Sequence, residues 1–142
     1  MTIAAILERK GGEVFSIAAG DTVRQAVDLL AGKRIGAAPV LDNGRVIGIV
    51  SERDVLYGLA RDGEALLDRR VDEVMTADPV TVTPGTPVLH AMATMTRRRI
   101  RHLPVIEGGA LAGFVSIGDL VKLRIDRIEA EAEAMRSYIA GS

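Results

Sequence analysis

The chain contains no cysteine and no tryptophan among its 142 residues. Without cysteine it can form neither a disulfide bond nor a thiolate metal site. Aromatic residues are almost as scarce, since only Phe15, Tyr57, Phe114 and Tyr138 are present. Proteins that bind single-stranded nucleic acid stack the bases on several aromatic rings, so the composition argues against that class of function.

An excess of charge of one sign and long apolar runs are also lacking. The 18 basic and 19 acidic residues leave a net charge of −1, which gives no electrostatic reason to expect nucleic acid or an anionic membrane as a partner. No segment approaches the roughly 18 apolar residues of a membrane span. The N-terminal apolar run is interrupted at Glu8, and no cleavage site follows it. We therefore expect no signal peptide, no membrane span and a cytoplasmic location.

The usual signatures of catalysis are missing as well. The sequence has 2 histidines, His90 and His102, and neither lies in a recognisable nucleophile motif. His90 is expected at the surface of a helix, without a neighbouring set of metal ligands. No P-loop and no G-x-G-x-x-G fingerprint occurs. We therefore predict no catalytic residues, no metal site and no obligatory cofactor.

What the sequence does contain is an internal repeat. An offset of 65 residues aligns residues 15–56 with residues 80–121 without a gap. The identical positions mark turns and strand cores: Gly20/Gly85, Val23/Val88, Ala26/Ala91, Arg34/Arg99, Ile35/Ile100, Pro39/Pro104, Val40/Val105, Gly44/Gly109, Gly48/Gly113, Val50/Val115, Ser51/Ser116 and Asp54/Asp119. A unit of this size leaves an apolar face exposed unless a second copy packs against it. The repeat therefore predicts two units related by approximate twofold symmetry.

Each copy predicts the element order βαββα. A short strand, VFSI or VTV, precedes an amphipathic helix that begins at Thr22 or Pro87. Two strands follow, AAPVL and RVIGIVS or HLPVI and ALAGFVS, joined by DNG and EGG turns that suit hairpins. A second helix begins at Ser51 or Ser116, because serine is a favoured N-cap. The predicted fold class is therefore mixed α/β (α+β).

The repeat divides the chain into five segments. Residues 1–13 are predicted to form an N-terminal helix and lead-in, 14–66 the first domain, 67–79 a linker, 80–126 the second domain, and 127–142 an extension of the last helix. In the extension Ile128, Ala132, Met135 and Ile139 keep to one stripe. A helix this long, with little of its own domain to cover it, predicts a partner surface.

The last motif of each copy, Ser-x-x-Asp, has two interpretations. The structural one is a capping box, which stabilises a helix by about 1 kcal/mol. The functional one is a nucleotide site, because a helix N-terminus attracts phosphate and an ionised aspartate accepts hydrogen bonds from the two hydroxyls of a ribose. The preceding Gly48 and Gly113 keep the strand slim, so that a ligand can approach the backbone. Spacing alone leaves both interpretations open.

A family resemblance favours the functional interpretation. RIGAAPV followed by GIVSERD, and RIRHLPV followed by GFVSIGD, resemble the paired cystathionine-beta-synthase (CBS) domains of a Bateman module. The resemblance covers roughly residues 7–126. It implies a non-catalytic regulatory module that senses energy or redox state by binding AMP, ATP or NAD(H) in two clefts. It also implies a homodimer shaped as a flat disc, in which two pairs meet through their helices.

The resemblance further implies a set of nucleotide-binding residues. Adenine would lie against the first strand of a repeat and the backbone before its apolar-Pro dipeptide, while Ser-x-x-Asp would hold ribose and phosphate. The first site would use Ser16, Ile17, Ala37, Ala38, Pro39, Ser51, Arg53 and Asp54; the second would use Thr81, Val82, His102, Leu103, Pro104, Ser116 and Asp119, with Arg101 and His102 contacting phosphate in the central cleft.

The two copies differ where a phosphate would lie. Gly118 stands where the first copy has Arg53, so the first site is expected to bind better. Arg97 and Arg98 are assigned to a solvated helix face. A rival function of a different class is a structural adaptor, whose Ser/Asp pairs only cap helices. The regulated enzyme or transporter, and the choice among adenosine ligands, stay open.

Overall fold

The computed structural model describes residues 1–141, which form five α-helices, six strands and two short 3-10 segments. The helices are α1 (Ile3–Lys10), α2 (Val23–Lys33), α3 (Glu52–Asp62), α4 (Val88–Arg98) and α5 (Ile117–Gly141). The strands are β1 (Ile17–Ala18), β2 (Ala37–Asp42), β3 (Arg45–Ser51), β4 (Thr76–Ala77), β5 (His102–Glu107) and β6 (Ala110–Ser116), and the 3-10 segments are Gly63–Asp68 and Val71–Glu73. The mixed α/β fold with two repeats is confirmed.

Both predicted hairpins are present, and their turns explain their positions. Strands β2 and β3 pair antiparallel, as do β5 and β6. Asn43 and Gly44 have φ of 50° and 78°, and Gly108 and Gly109 have φ of 60° and 79°. Two consecutive residues with positive φ give the turn whose twist matches that of a hairpin. The DNG and EGG sequences are therefore local signals that are sufficient to predict the two hairpin turns.

The first strand of each copy is shorter than predicted. Of VFSI, residues 14–17, only Ile17 lies in β1, which pairs parallel with β2 through Ile17↔Val40 and Ala18↔Leu41. VTV forms no strand, only an isolated parallel bridge between Val82 and Val105. The ladder cannot be extended through Pro84, because proline has no amide N–H.

Segments outside the aligned repeat complete the two cores. Ile3 and Ile6 of α1 are buried with Val88, Leu103 and other residues of the second repeat. Val71, from the linker, is buried with residues of the first repeat, and Met75 packs against them. Strand β4, which the sequence did not predict, adds to the first sheet by pairing with β3. Each repeat is thus covered by the segment that precedes the other one.

The C-terminal helix is continuous, as predicted. Helix α5 starts directly after Ser116 and runs for 25 residues. Leu120 is buried in the second core, whereas Ile128, Met135 and Ile139 further along are exposed. None of the helices in residues 1–141 is both long and apolar enough to cross a membrane.

Candidate functional site

Both Ser-x-x-Asp motifs form hydrogen-bonded helix caps. The Asp54 amide donates to Ser51 Oγ at 3.2 Å, and the Ser51 amide donates to Asp54 Oδ2 at 2.9 Å. At the start of α5 the Asp119 amide donates to Ser116 Oγ at 3.2 Å, and the Ser116 amide donates to Asp119 Oδ2 at 2.8 Å. The structural interpretation is therefore correct for both pairs. It leaves Oδ1 of each carboxylate outside the cap and able to accept a further hydrogen bond.

The first cap opens into a cleft of about 380 Å³, named here the Ser51 cleft. From the first repeat and the linker it is lined by Gly36, Ile49, Ser51, Glu52, Arg53, Asp54, Thr76, Asp78 and Pro79, and from the second repeat by Val80, Arg98, Arg99, Ile100, Arg101 and His102. Thr76 Oγ1 donates to Asp54 Oδ1 at 3.2 Å. A ligand hydroxyl reaching this oxygen would replace or share that contact.

The second cap opens into a cleft of about 290 Å³, named here the Ser116 cleft. It is lined by Lys10, Val14, Phe15, Arg34, Ile35, Gly36, Ala37, His102, Phe114, Ser116 and Asp119. Its lining matches that of the Ser51 cleft under the 65-residue offset, since Phe15, Arg34 and Ile35 correspond to Val80, Arg99 and Ile100. The two clefts are thus equivalent by internal symmetry.

The two clefts group the predicted site residues differently from the assignment by repeat. Ser51 and Asp54 lie with Val80, Arg101 and His102 of the second repeat, not with Ser16 and Ile17 of their own. Ser116 and Asp119 lie with Phe15 and Ala37 of the first repeat. The physical reason is that the two repeats pack so that each helix start faces the other repeat's first segment. A repeat therefore supplies half of each cleft.

Eight of the predicted residues line neither cleft. Ser16 and Thr81 are exposed, and the other six are buried in strand or bridge positions: Ile17, Ala38, Pro39, Val82, Leu103 and Pro104. The predicted residues that do line a cleft are Ala37, Ser51, Arg53, Asp54, Arg101, His102, Ser116 and Asp119. The six buried residues therefore contribute to the hydrophobic interior and not to the lining of either cleft.

The clefts differ most in the cations that they present. The Ser51 cleft is lined by Arg53, Arg98, Arg99 and Arg101, and within residues 1–141 none of these four arginines forms an ion pair. Arg98, assigned from the sequence to a solvated face, is exposed and lines this cleft. Unpaired guanidinium groups beside a helix N-terminus favour a phosphate ligand.

Sequence reasoning missed Lys10, which supplies a cation to the Ser116 cleft. Lys10 Nζ donates to Asp119 Oδ2 and to the Phe114 carbonyl oxygen, each at 2.8 Å. Partial burial acts to raise the pKa of Asp119, but the hydrogen bonds from Lys10 and Ser116 outweigh it and hold that pKa below its ordinary value. The cation absent at Gly118 is thus replaced from the end of α1. A separation of 109 residues hides this pair from any local motif.

Two cleft arginines hold a backbone conformation that is costly for their residue type. Arg34 and Arg99 end α2 and α4 with φ of 55° each. This left-handed region costs a residue with a side chain roughly 1–2 kcal/mol of conformational energy, whereas glycine adopts it freely. Arginine at both equivalent positions, each beside a cleft, is consistent with a role for the side chain in the site.

His102 separates the two clefts and lines both of them. Its ring stacks on Phe114 with the centroids 5.4 Å apart and the planes 9° apart. Burial lowers the pKa of His102 below its ordinary value, and the charges of Lys10 and Arg101 lower it further, while Asp119 and Glu52 oppose the change. The neutral imidazole is therefore favoured in the wall between the clefts. His90, by contrast, is exposed on α4.

The glycines that precede the Ser-x-x-Asp motifs make room for protein rather than for a ligand. A Cβ atom on Gly48 would collide with Met75 Sδ and would lie 2.8 Å from the Thr76 carbonyl oxygen. A Cβ atom on Gly113 would collide with Leu7 Cδ2. The expectation of ligand approach at these strands is therefore wrong, because the segment that precedes the opposite repeat packs there.

The last question about the clefts is whether their side chains could hold a metal ion. In the described range 1–141, no three His, Asp or Glu side chains come together as a group that could hold a metal ion. The clefts instead combine aspartates held by helix caps with arginines or lysine. Such a donor and acceptor set can bind a ligand that carries both hydroxyl groups and an anionic group.

Comparison with known proteins identifies the repeat. The sequence profile of the CBS domain matches residues 6–61 and 71–126. The mitochondrial CBS domain-containing protein CBSX3 of Arabidopsis thaliana is 36% identical over 149 residues, covering 99% of this chain and 72% of that protein. An uncharacterized 33.4 kDa protein in a ribosomal RNA operon of Thermofilum pendens is 36% identical over 120 residues, covering 82% of this chain but only 39% of that relative.

Solved structures share the architecture. The CBS-domain containing protein ATU1752 from Agrobacterium tumefaciens is 38% identical, with a TM-score of 0.83 over 87% of this chain and 99% of that one. The CBS domain pair of protein MJ0100, in complex with 5′-methylthioadenosine and S-adenosyl-L-methionine, is 22% identical with a TM-score of 0.77 and covers 87% and 98% of the two chains. CBSX2 in complex with AMP is 23% identical with a TM-score of 0.74 and covers 88% and 96%.

Proposed function

The chain belongs to the family of proteins with paired CBS domains, and on that premise we propose that it is a non-catalytic regulatory module that binds adenine nucleotides in its two clefts. The expected ligands are AMP, ATP or NAD(H), which would make it a sensor of energy or redox state. Two solved relatives are complexes with AMP or with S-adenosyl-L-methionine and 5′-methylthioadenosine. All of these ligands contain adenosine, so the adenosine moiety is the group that we expect both clefts to recognise.

A single observation carries the proposal. In each cleft a helix cap fixes an aspartate by one oxygen, and arginine or lysine side chains line the same cleft. Ribose hydroxyls can donate to the outward carboxylate oxygen, while phosphate oxygens accept from the cations. A helix cap alone requires no such cations beside it.

We assign the stronger phosphate binding to the Ser51 cleft. It presents four arginines, whereas the Ser116 cleft presents Lys10 and Arg34. Lys10 is also already paired with Asp119, so a ligand in the Ser116 cleft must compete with an existing ion pair. Guanidinium groups favour bidentate contacts with phosphate, which points to a nucleotide with more than one phosphate in the Ser51 cleft.

The rival function, a structural adaptor without ligand, has its own support. Both Ser/Asp pairs form complete hydrogen-bonded caps, and Thr76 and Lys10 already contact the aspartates. On this view the clefts are gaps between two packed repeats. The two functions therefore differ in what removal of an aspartate does to ligand response.

Other features of the proposal follow the family rather than the clefts. We expect a cytoplasmic homodimer that regulates an enzyme or transporter through a difference in nucleotide affinity between two of its states. Nucleic acid, a membrane and a metal ion have no part in this proposal. In this proposal the ligand is a regulator and not a substrate, because neither histidine belongs to a recognisable nucleophile motif.

The decisive experiment is a thermal-shift panel with AMP, ADP, ATP, NAD, NADH and S-adenosyl-L-methionine on nucleotide-free protein. A ligand at about 100 times its dissociation constant should stabilise the protein by roughly 2.7 kcal/mol, a shift of several degrees. We expect Asp54→Ala to remove most of the larger response and Asp119→Ala most of the smaller one. The matched control is Thr22→Ala, which removes the capping box of α2 outside both clefts and should leave the ligand shift intact. No shift with any of the six ligands would favour the adaptor.

A further inference from the structure

The exposed face of α5 has a repeat that the CBS fold does not require. The family profile ends at residue 126, whereas α5 continues to Gly141. Apolar residues recur along the helix at alternating steps of four and three, at Val121, Ile125, Ile128, Ala132, Met135 and Ile139. Sustained spacing of about 3.5 residues is the pattern of a left-handed coiled-coil seam.

This seam lies on the outside of the chain. Ile125 is 49% exposed, Ile128 48% and Met135 60%. A helix that is fully packed on its own domain buries its apolar stripe. From Ile125 onward, the stripe of α5 therefore faces away from the core that encloses Leu120.

We propose that α5 pairs with the α5 of a second copy as a parallel, in-register coiled coil along this seam. In the heptad that places Ile125, Ala132 and Ile139 at a, the flanking e and g positions hold charged residues, which set the orientation of a coiled coil. Arg124 at g would face Glu129 at e of the second copy. Glu131 at the next g would face Arg136 of the second copy. Both contacts are attractive, and the twofold axis makes each of them occur twice.

The antiparallel alternative is disfavoured by the same charges. The antiparallel register that buries the whole seam sets Ile128 opposite Ala132 of the other helix. It brings Glu129 beside Glu129 and Glu131 beside Glu131 of the second copy. Lys122 would then approach Arg136. Each of these contacts is repulsive, so the charge order selects the parallel pairing.

The ion pairs that the charged residues of α5 form within residues 125–137 are exposed and can be exchanged for contacts with a second copy. Arg136 is held by Glu133 at 2.7 Å, and Arg127 lies 3.9 Å from Glu131, with all four side chains more than half exposed. Exposed ion pairs of this kind contribute little to the stability of the protein. The seam is short for an isolated coiled coil, but its helix is already started by the packed first turns of α5, which removes the cost of nucleation.

The absence of native cysteine allows a direct test on the full-length protein. Ile128→Cys and Met135→Cys each place a single thiol in the seam, where facing Cα atoms of a parallel pair come within disulfide range. We expect both to form disulfide-linked dimers on mild oxidation at low protein concentration. Ser137→Cys, at the outer f position of the same helix, is the control and should stay monomeric on a non-reducing gel. Failure of both seam variants to cross-link while the protein is folded, or equal cross-linking of the control, would overturn the proposal.

A charge exchange tests the orientation. Glu131→Arg should weaken dimerisation about fivefold in sedimentation equilibrium, because it creates two repulsive contacts with Arg136 of the other copy. Adding Arg136→Glu should restore the affinity. In the double variant, the new positive charge at position 131 lies near Arg127 of the same helix, and the new negative charge at position 136 lies near Glu133. Both contacts within the helix are repulsive, so a recovery of dimer affinity can arise only from contacts between the two helices. A double variant as weak as Glu131→Arg would contradict parallel pairing.

Discussion

Among single residues, His102 has the most unusual position, because it lines both clefts and stacks on Phe114. Burial and the nearby Lys10 and Arg101 lower its pKa. The folded protein therefore resists protonation of this imidazole, whereas the unfolded chain takes up a proton near the ordinary pKa of 6.5. Stability linked to His102 is complete above that pH and is lost as the pH falls through it and down to the folded pKa.

We predict that the free energy of unfolding decreases between about pH 7.5 and pH 5.5, and that His102→Gln flattens this decrease. Urea titrations across that range would measure the effect. His90→Gln is the control, because the only other histidine is exposed on α4. If His102→Gln retains the slope of the parent protein, the pH dependence has another origin.

At the same scale, the sequence predicted the residues whose signals are local. Ser51 with Asp54, and Ser116 with Asp119, are three positions apart, and the capping box that the structure shows was one of the two interpretations of that spacing. Lys10 could not be predicted as a cleft cation, because its partner Asp119 is distant in the chain. Only the docking of α1 on the second repeat brings the two together.

Among the elements, helices and hairpins were predictable and the packing of the connecting segments was not. Thr22 and Gln25 form the capping box of α2, and Asn43-Gly44 forms the first hairpin turn, so each carries its own signal. Strand β4 has only two residues. It exists because Gly48 leaves room for the Met75-Thr76 segment beside β3, which is a tertiary effect.

The two strand glycines should therefore respond differently to the same substitution. We predict that Gly48→Ala destabilises by about 1–3 kcal/mol, because the methyl group meets the Thr76 carbonyl as well as the Met75 side chain. Gly113→Ala meets only the Leu7 side chain among the nearest atoms. Chemical denaturation of single and double variants would measure both.

Rescue distinguishes the two cases. Leu7→Ala should show a favourable coupling energy with Gly113→Ala, since the smaller side chain vacates the space that the new methyl group needs. Met75→Ala should rescue Gly48→Ala less, because the backbone oxygen of Thr76 stays in place. Equal rescue at both positions would contradict the packing described for β4.

In the whole molecule, the central feature is that each cleft takes residues from both repeats. The sequence revealed the repeat and its two motifs, but grouped each motif with the first segment of its own copy. The sequence of one copy alone does not predict how the other copy packs against it. The interface between repeats, which brings Asp54 and Arg99 into one cleft and Asp119 and Arg34 into the other, is set by complementary surfaces that no local spacing encodes.

Because each cleft takes residues from both repeats, the structure predicts which arginine acts with Asp54. We expect Arg99→Ala to weaken nucleotide binding in the Ser51 cleft about tenfold, as for loss of a charged hydrogen bond, and to be non-additive with Asp54→Ala. Arg34→Ala, the matched substitution in the first repeat, should leave that cleft unchanged and combine additively with Asp54→Ala, because it lines the Ser116 cleft. Calorimetric titration of the three single variants and two double variants would measure both couplings. Coupling of Asp54 to Arg34 instead of Arg99 would mean that each repeat forms a cleft by itself, and would refute the exchanged arrangement.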